Sequence, residues 1–167
     1  MKVKVKVFFL LIFSFLAVLG LRLLIFNTKA FAQTHLDYAK MLPIKHTYVS
    51  SEDEEFFGYL ATDNSFDTRW SSVHGVDPQW IVIDLGKERR IKYIVLCWEE
   101  AAAAGYRIEV SMDNERWLEI YNEKVGKRGL VLIPMEVHTK ARYVRVFATR
   151  RTTEWGYSLY EFQVFGI

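Results

Sequence analysis

The sequence predicts an all-β protein, an antiparallel β-sandwich preceded by an N-terminal hydrophobic helix, and three observations carry that expectation. From His46 onward the chain is a series of strand-length runs alternating between apolar and polar residues, broken by turn residues every eight to fifteen positions. Aromatic residues reach 16%, with 5 Trp and 9 Tyr, a composition that suits pleated surfaces. After residue 32 no helix-length amphipathic pattern appears, and the run Ala101–Ala104 is far too short to hold a helix by itself.

The elements follow in order. Residues 1–32 read as an address. Lys2, Lys4 and Lys6 precede an apolar run from Val7 to Phe26 that is interrupted only by Arg22. Basic residues before such a run mark insertion with the N-terminus in the cytoplasm. The run is about as long as the ~20 residues needed to span a bilayer, while Ala30-Phe31-Ala32 fits the small-x-small pattern of a cleavage site. A cleaved signal peptide and a retained membrane anchor both remain open, and both place residue 33 onward outside the cytoplasm. Residues 33–44 form a leader, and 45–167 form the domain.

Within the domain, QWIVIDLG (79–86) puts Ile81, Ile83 and Leu85 on one face, and RIKYIVLCW (90–98) is apolar on both. YRIEVSMD (106–113) alternates Tyr106, Ile108, Val110 and Met112 with Arg107, Glu109 and Ser111. RWLEIY (116–121), GLVLIPM (129–135), ARYVRVFA (141–148) and SLYEFQVFG (158–166) complete the strands. Trp80 and Trp117 fall inside strand patterns and read as core or edge packing. Cys97, the single cysteine, allows no internal disulfide and reads as a buried, inert thiol.

Charge and motifs exclude several functions. Residues 1–32 carry five of the 22 basic residues and no acid, so the remainder holds 17 basic against 20 acidic residues, net −3. A nucleic-acid partner, which calls for a basic face, loses support. Glu99 and Glu100 are adjacent and point apart, unlike the facing carboxyls of a glycosidase. His35, His46, His74 and His138 are scattered without zinc spacing, and no nucleophile elbow or phosphate-binding glycine loop occurs. The sequence therefore reads as a binding protein and not as an enzyme.

The order of motifs resembles the discoidin family, also called the factor V/VIII type C domain, which overlaps the family 32 carbohydrate-binding modules. The matching pieces are ATDNSFDTRWSS, QWIVIDLG, IVLCWEEA, YRIEVSMDNERW, ARYVRVFAT and WGYSLYEFQVFG, spread over residues 45–167. The resemblance implies an eight-stranded antiparallel jelly-roll sandwich. It also implies a structural calcium ion held by Asp63, Thr68 and Glu161 side chains and by backbone carbonyls near Leu60, Ser65 and Tyr160. Calcium accepts such oxygen ligands, and the ion would tie an early loop to the last strand in place of a disulfide. A calcium-free turn is the other reading of this loop. The chain departs from the family's Asp-Gly-Asn at Asp63-Asn64-Ser65, where Asn64 has to take the left-handed conformation.

Arg69 beside Trp70 reads as structural, with Asp84 as its expected carboxylate partner; a ligand clamp is the other role open to it. Three loops carry unusual equipment for recognition: 71–79 with His74 and Asp77, 97–106 with Trp98, Glu99 and Glu100, and 150–158 with Arg150, Arg151, Glu154, Trp155 and Tyr157. A sugar needs an aromatic plane for its C–H face and directed partners for its hydroxyls. Trp98 or Trp155 is the expected stacking platform, Glu99 and Arg150 the hydroxyl partners, and His74 a lesser candidate. Tyr157 is open between core and site, and Glu99 can instead brace its own loop. A polysaccharide is thus the expected partner. The alternatives are a phospholipid surface or a protein partner, as in other members of the family; Asp77, Glu99, Glu100 and Glu154 would repel an anionic lipid.

Overall fold

A computed structural model describes residues 39–136 and 139–167. The expected N-terminal hydrophobic segment, the first half of the leader (33–38) and His138 lie outside these residues. Within them the chain forms nine strands: β1 (Lys40–Met41), β2 (His46–Val49), β3 (Trp70–Ser71), β4 (Gln79–Trp98), β5 (Ala103–Ser111), β6 (Leu118–Glu123), β7 (Gly129–Pro134), β8 (Lys140–Arg151) and β9 (Ser158–Gly166), with one 3-10 turn at Gly58–Ala61. All pairings are antiparallel. The described strands therefore number nine, not the expected eight; β1, β2 and β3 are short additions. β1 draws two residues of the expected leader into the sheet, where Lys40 faces Gly166.

The organising element is β4. The sequence suggests two strands here, because Gly86 and a cluster of charges interrupt the apolar pattern. The structure makes one 20-residue strand that serves both layers. Its first half pairs with β2 and β8, and β5 and β6 extend that layer. Its second half pairs with β7 and β9, and β1 and β3 add to that layer. The change of layer occurs at a bend between Asp84 and Arg89, where the register shifts and Gly86 takes φ +76°. Glycine accepts that conformation without a Cβ clash. Between the layers, Ile81, Ile83 and Leu85 meet Ile94, Leu96 and Trp98, with Ile108, Val144, Val146, Phe162 and Val164 closing the core. Tyr106, Ile108 and Val110 of β5 are buried as read, but Glu109 and Ser111 are buried as well, and Met112 is exposed beyond the strand's end.

Asp84 is one of the buried acidic residues of this scaffold, at 1% exposure. Its partner is not Arg69, as the sequence suggests, but Arg142 on β8. The guanidinium donates Nε to Oδ1 and Nη2 to Oδ2, both at 2.9 Å, and Gly86 N–H donates to Oδ1 at 2.7 Å. The correction has a geometric cause: β8 is the strand bonded beside Asp84, whereas Arg69 precedes β3 in the other layer. These bonds hold the Asp84 carboxyl below its ordinary range against the opposing effect of burial. Arg142→Met leaves a buried carboxylate without its cation. It is expected to lower stability at neutral pH, less than the loss of a fully buried pair would because the Arg is part-exposed, read from the urea midpoint. In the native protein this contribution is present above the unfolded value of 3.8 and is lost as pH falls through the lower folded value. The variant is expected to show a smaller loss of stability over that acid range.

Candidate functional site

Because β4 leaves one end of the sandwich at Gln79, bends at the other, and returns at Trp98, the loops around residues 71–78, 99–102 and 152–157 gather at a single end. Backbone bonds weld them together. Ser72 N–H donates to Tyr157 C=O at 2.9 Å, Glu99 N–H to Ser158 C=O at 3.0 Å, and Ser158 N–H to Ala101 C=O at 2.8 Å. Thr152 N–H donates to Ala102 C=O at 3.0 Å. Gly156 permits a close approach, since a Cβ there would stand 2.4 Å from Ser72 O. Three of the four alanines pack beneath: Ala101, Ala102 and Ala103 are buried, and Ala103–Ala104 begin β5.

These loops enclose a pocket of about 320 Å³ lined by Asp53, Phe56, Arg69, Ser71, His74, Glu99, Ala101, Trp155 and Ser158. Trp155 is 45% exposed and offers its indole to the pocket mouth. Glu99 Oε2 accepts from Ala101 N–H at 3.0 Å. The carboxylate therefore braces its loop and keeps acceptor capacity for a ligand. Asp53 Oδ2 lies 3.2 Å from His74 Nε2. The Arg69 guanidinium stacks on Phe56 at 3.9 Å, and its buried Nε has no acceptor. Ser158, 1% exposed, has a hydroxyl without a partner. Two buried polar atoms in the wall of one pocket thus lack partners within the protein. Such groups are costly unless something else satisfies them.

Of the residues expected from the sequence, His74, Glu99 and Trp155 come together here. Trp98 does not. It is 2% exposed and packs its ring against Tyr106 at 5.4 Å between centroids, so it cannot serve as a stacking platform. The reason is parity, because Leu96 and Trp98 share the inward face of β4. Tyr157 is wholly buried, and its hydroxyl donates to Asp77 Oδ1; burial and that carboxylate push its pKa far up. It holds the loop from below and is not in the pocket lining. Arg150 is exposed but outside the pocket, its Nη2 donating to the carbonyl oxygens of Lys124 and Ala104. Arg151 takes the nearer place, donating Nε to Asp77 at 3.1 Å and Nη1 to Trp155 C=O at 3.1 Å. Asp53, Phe56, Ser71 and Ser158 escape the sequence reading. Asp53 sits in the acidic run Glu52–Glu55, which looks like a solvated turn, and only β3 and β9 folding together bring it opposite Glu99. Arg69, read from the sequence as structural or as a ligand clamp, packs on Phe56 in the pocket wall.

At the flank of the sandwich, the loop that follows the 3-10 turn meets β9. Asn64 takes φ +65°, the left-handed conformation its position requires. Ser65 N–H donates to Asp63 Oδ1 at 2.9 Å and to Glu161 Oε1 at 3.1 Å. Thr68 Oγ1 lies 2.8 Å from Asp63 Oδ2 and 3.2 Å from Ser65 O. Asp63, Ser65, Thr68 and Glu161 are therefore one cluster. Leu60 lies in the 3-10 turn and Tyr160 directly precedes Glu161 in β9. Glu161 is fully buried, and burial together with the nearby Asp63 raises its pKa. The charged group beside this buried carboxylate is a second carboxylate. Among the described residues no group of three or more His, Cys, Asp or Glu is placed for a metal. The donors here are two carboxylates with hydroxyl and carbonyl oxygens, a set that fits a hard cation such as calcium.

Comparison with known proteins places this architecture. The model of the F5/8 type C domain matches residues 46–162. The chain belongs to that family. Among solved structures it is similar to chitosan-binding module 1 of a chitosanase/glucanase from Paenibacillus sp. IK-5, at 40% identity and TM-score 0.71, covering 75% of this chain and 97% of that one. It is similar to module 2 of the same enzyme, solved with chitotriose, at 39% identity and TM-score 0.71, covering 75% and 98%. The family 32 module of NanJ from C. perfringens, solved with galactose, shares the fold at 17% identity and TM-score 0.67, covering 76% and 98%. A polysaccharide lyase 8 family protein, HylA of Enterococcus faecalis, is 39% identical over 75 residues, which are 45% of this chain and 5% of that protein.

Proposed function

We propose that this F5/8 type C domain is a non-catalytic carbohydrate-binding module and that its loop-end pocket takes the terminal units of an amino-sugar polysaccharide. The observation that carries this reading is the exposed Trp155 indole set against the carboxylates of Glu99 and Asp53 in one pocket. The indole stacks on the C–H face of the ring, the carboxylates accept from hydroxyl and ammonium groups, and the Arg69 guanidinium in the same wall balances part of their charge. Support comes from the two modules named for chitosan binding, each about two-fifths identical to this chain over nearly their whole length. A protein or phospholipid partner is the alternative function, and the carboxylates of Glu99 and Asp53 in the pocket disfavour an anionic lipid.

The same proposal extends to two further points. A calcium ion sits between the 63–68 loop and Glu161 as a structural tie, away from the sugar. The domain works outside the cytoplasm, secreted or anchored, with its pocket at the end of the sandwich opposite β1. This orientation follows from Lys40 pairing with Gly166 beside Ile91, at the far end from Trp98.

Calorimetry with glucosamine oligomers, N-acetylated oligomers and galactosides tests the sugar. The glucosamine oligomers are expected to bind most tightly and to weaken as salt rises, because the added recognition is ionic and surface charges are screened within about 10 Å at 0.1 M. Equal binding of the neutral sugars would remove the ammonium from the account and leave a glycan module. Binding of none would return the protein and lipid partners to first place.

A further inference from the structure

Trp80 and Trp117 belong neither to the core nor to the loop-end pocket. On β4, Ile81 and Ile83 enter the core, so Trp80 and Val82 face the other side of the layer. Cross-strand pairing puts Tyr48 on one side of Val82 and Arg145 on the other, with Phe147 beside Trp80. The turn between β5 and β6 brings Asn114 and Trp117 to the same face. That turn is firmly held: Asp113 Oδ1 accepts from Glu115 N–H at 3.0 Å and Arg116 N–H at 2.9 Å, and Asn114 N–H donates to Ser111 Oγ at 2.9 Å. The result is a cleft of about 260 Å³ lined by Tyr48, Trp80, Val82, Asn114, Trp117 and Arg145. It shares no residue with the loop-end pocket.

The lining has the composition that sugar recognition requires. Val82, 2% exposed, is an apolar floor, and Tyr48, 43% exposed, stands at the rim with two half-buried indoles. Asn114 offers an amide that donates and accepts. Arg145 lies over the Trp117 ring at 4.0 Å and donates Nε to Glu109 at 2.6 Å, so its charge is already balanced. No carboxylate lines the cleft, in contrast to the loop-end pocket. Packing alone accounts for part of this. Trp117, Arg145, Phe147 and Arg107 alternate as a cation–π ladder with contacts of 4.0, 5.2 and 4.6 Å that stiffens the sheet. That ladder makes no use of Tyr48, Trp80 or Asn114, which also line the cleft.

We infer that this cleft is a second carbohydrate site, taking a neutral hexopyranose unit and giving the module two grips on polysaccharide, one at its loop end and one on its sheet face. The inference goes beyond the first site and does not rest on it. Two sites engaged by one polymer raise its retention through effective concentration, without any new contact at either.

The five tryptophans of the chain give a direct readout, because each indole N–H has its own NMR signal. The protein is titrated with cellotetraose, galactotetraose and tetra-N-acetylchitotetraose. At least one is expected to shift the Trp80 and Trp117 signals saturably, and Trp155→Ala is expected to leave that response unchanged. Asn114→Gly removes the amide and keeps the positive φ, which glycine accepts. It is expected to weaken this binding about two- to tenfold, the worth of one or two neutral hydrogen bonds, with the remaining spectrum unmoved. If none of the three sugars moves Trp80 and Trp117 up to its solubility limit, or if Asn114→Gly leaves their titration unaltered, the inference falls. A silent Trp155 with glucosamine oligomers counts against the loop-end reading alone.

Discussion

Glu99→Gln is expected to weaken binding of glucosamine oligomers by about ten- to a hundredfold, while binding of N-acetylated oligomers changes much less. Hydrogen bonds to a charged group contribute about 1.5–3 kcal/mol, and each 1.4 kcal/mol is a factor of ten in affinity. The substitution keeps shape and keeps an oxygen for the Ala101 N–H that Glu99 Oε2 now accepts, so the loop is expected to stay in place. The charge is removed and the second oxygen becomes a donor NH2, a change that costs a cationic ligand most. Trp155→Ala supplies the contrast. Its indole is 45% exposed, so little folding stability depends on it, and its loss removes the stacking plane for every sugar alike. The two variants therefore separate two contributions, a general one from the indole and a selective one from the carboxylate. Calorimetry on both oligomer series measures them. Equal losses for both series in Glu99→Gln would show that the carboxylate reads hydroxyls, and the amino-sugar specificity would have to be abandoned.

The scaffold is legible in the sequence because alternation is a local property. Ile81 and Ile83, or Ile108 and Val110, announce their face without knowledge of any partner. What period two cannot show is where a strand bends, and so β4 reads as two strands although its bend at Gly86 joins both layers. The same limit explains the mixed reading of the site. Glu99 and Trp155 stand out because acids and indoles are unusual in loops. Trp98 reads as a loop residue although it is the last inward position of β4, one residue before the chain leaves the sheet. Asp53 and Ser158 give no signal at all, since their roles arise from β3 and β9 meeting across more than eighty residues of sequence. The partner of Asp84 is misread for the same reason: Arg69 stands near it in sequence, whereas only strand pairing brings Arg142 close.

Calcium is expected to raise the melting temperature, and Glu161→Gln is expected to abolish that rise while making the calcium-free protein no less stable than the wild type. The argument begins from the buried carboxylate. Glu161 is fully buried on β9 with Asp63 as its charged neighbour, and it accepts one N–H from Ser65 at 3.1 Å and one from Gln163 Nε2 at 3.1 Å. A buried anion near a second anion is destabilising unless a cation lies between them. The neutral amide introduced by the substitution removes that repulsion and can no longer help hold the ion. An ion at one hundred times its dissociation constant stabilises by about 2.7 kcal/mol. That corresponds to roughly 10 °C for a domain of this size. The effect exceeds what an ordinary surface contact gives because the ion joins the 63–68 loop to the last strand, and the chain, with Cys97 alone, has no disulfide to do so. Differential scanning calorimetry of both proteins in calcium and in chelator gives four melting temperatures. Coincident wild-type values in calcium and chelator would leave the Asp63–Glu161 cluster as a hydrogen-bonded turn and take the ion out of the account. The sugar titrations repeated in chelator then decide the remaining question: an affinity that survives loss of the ion confines calcium to the scaffold, as the separation of Glu161 from the pocket lining requires.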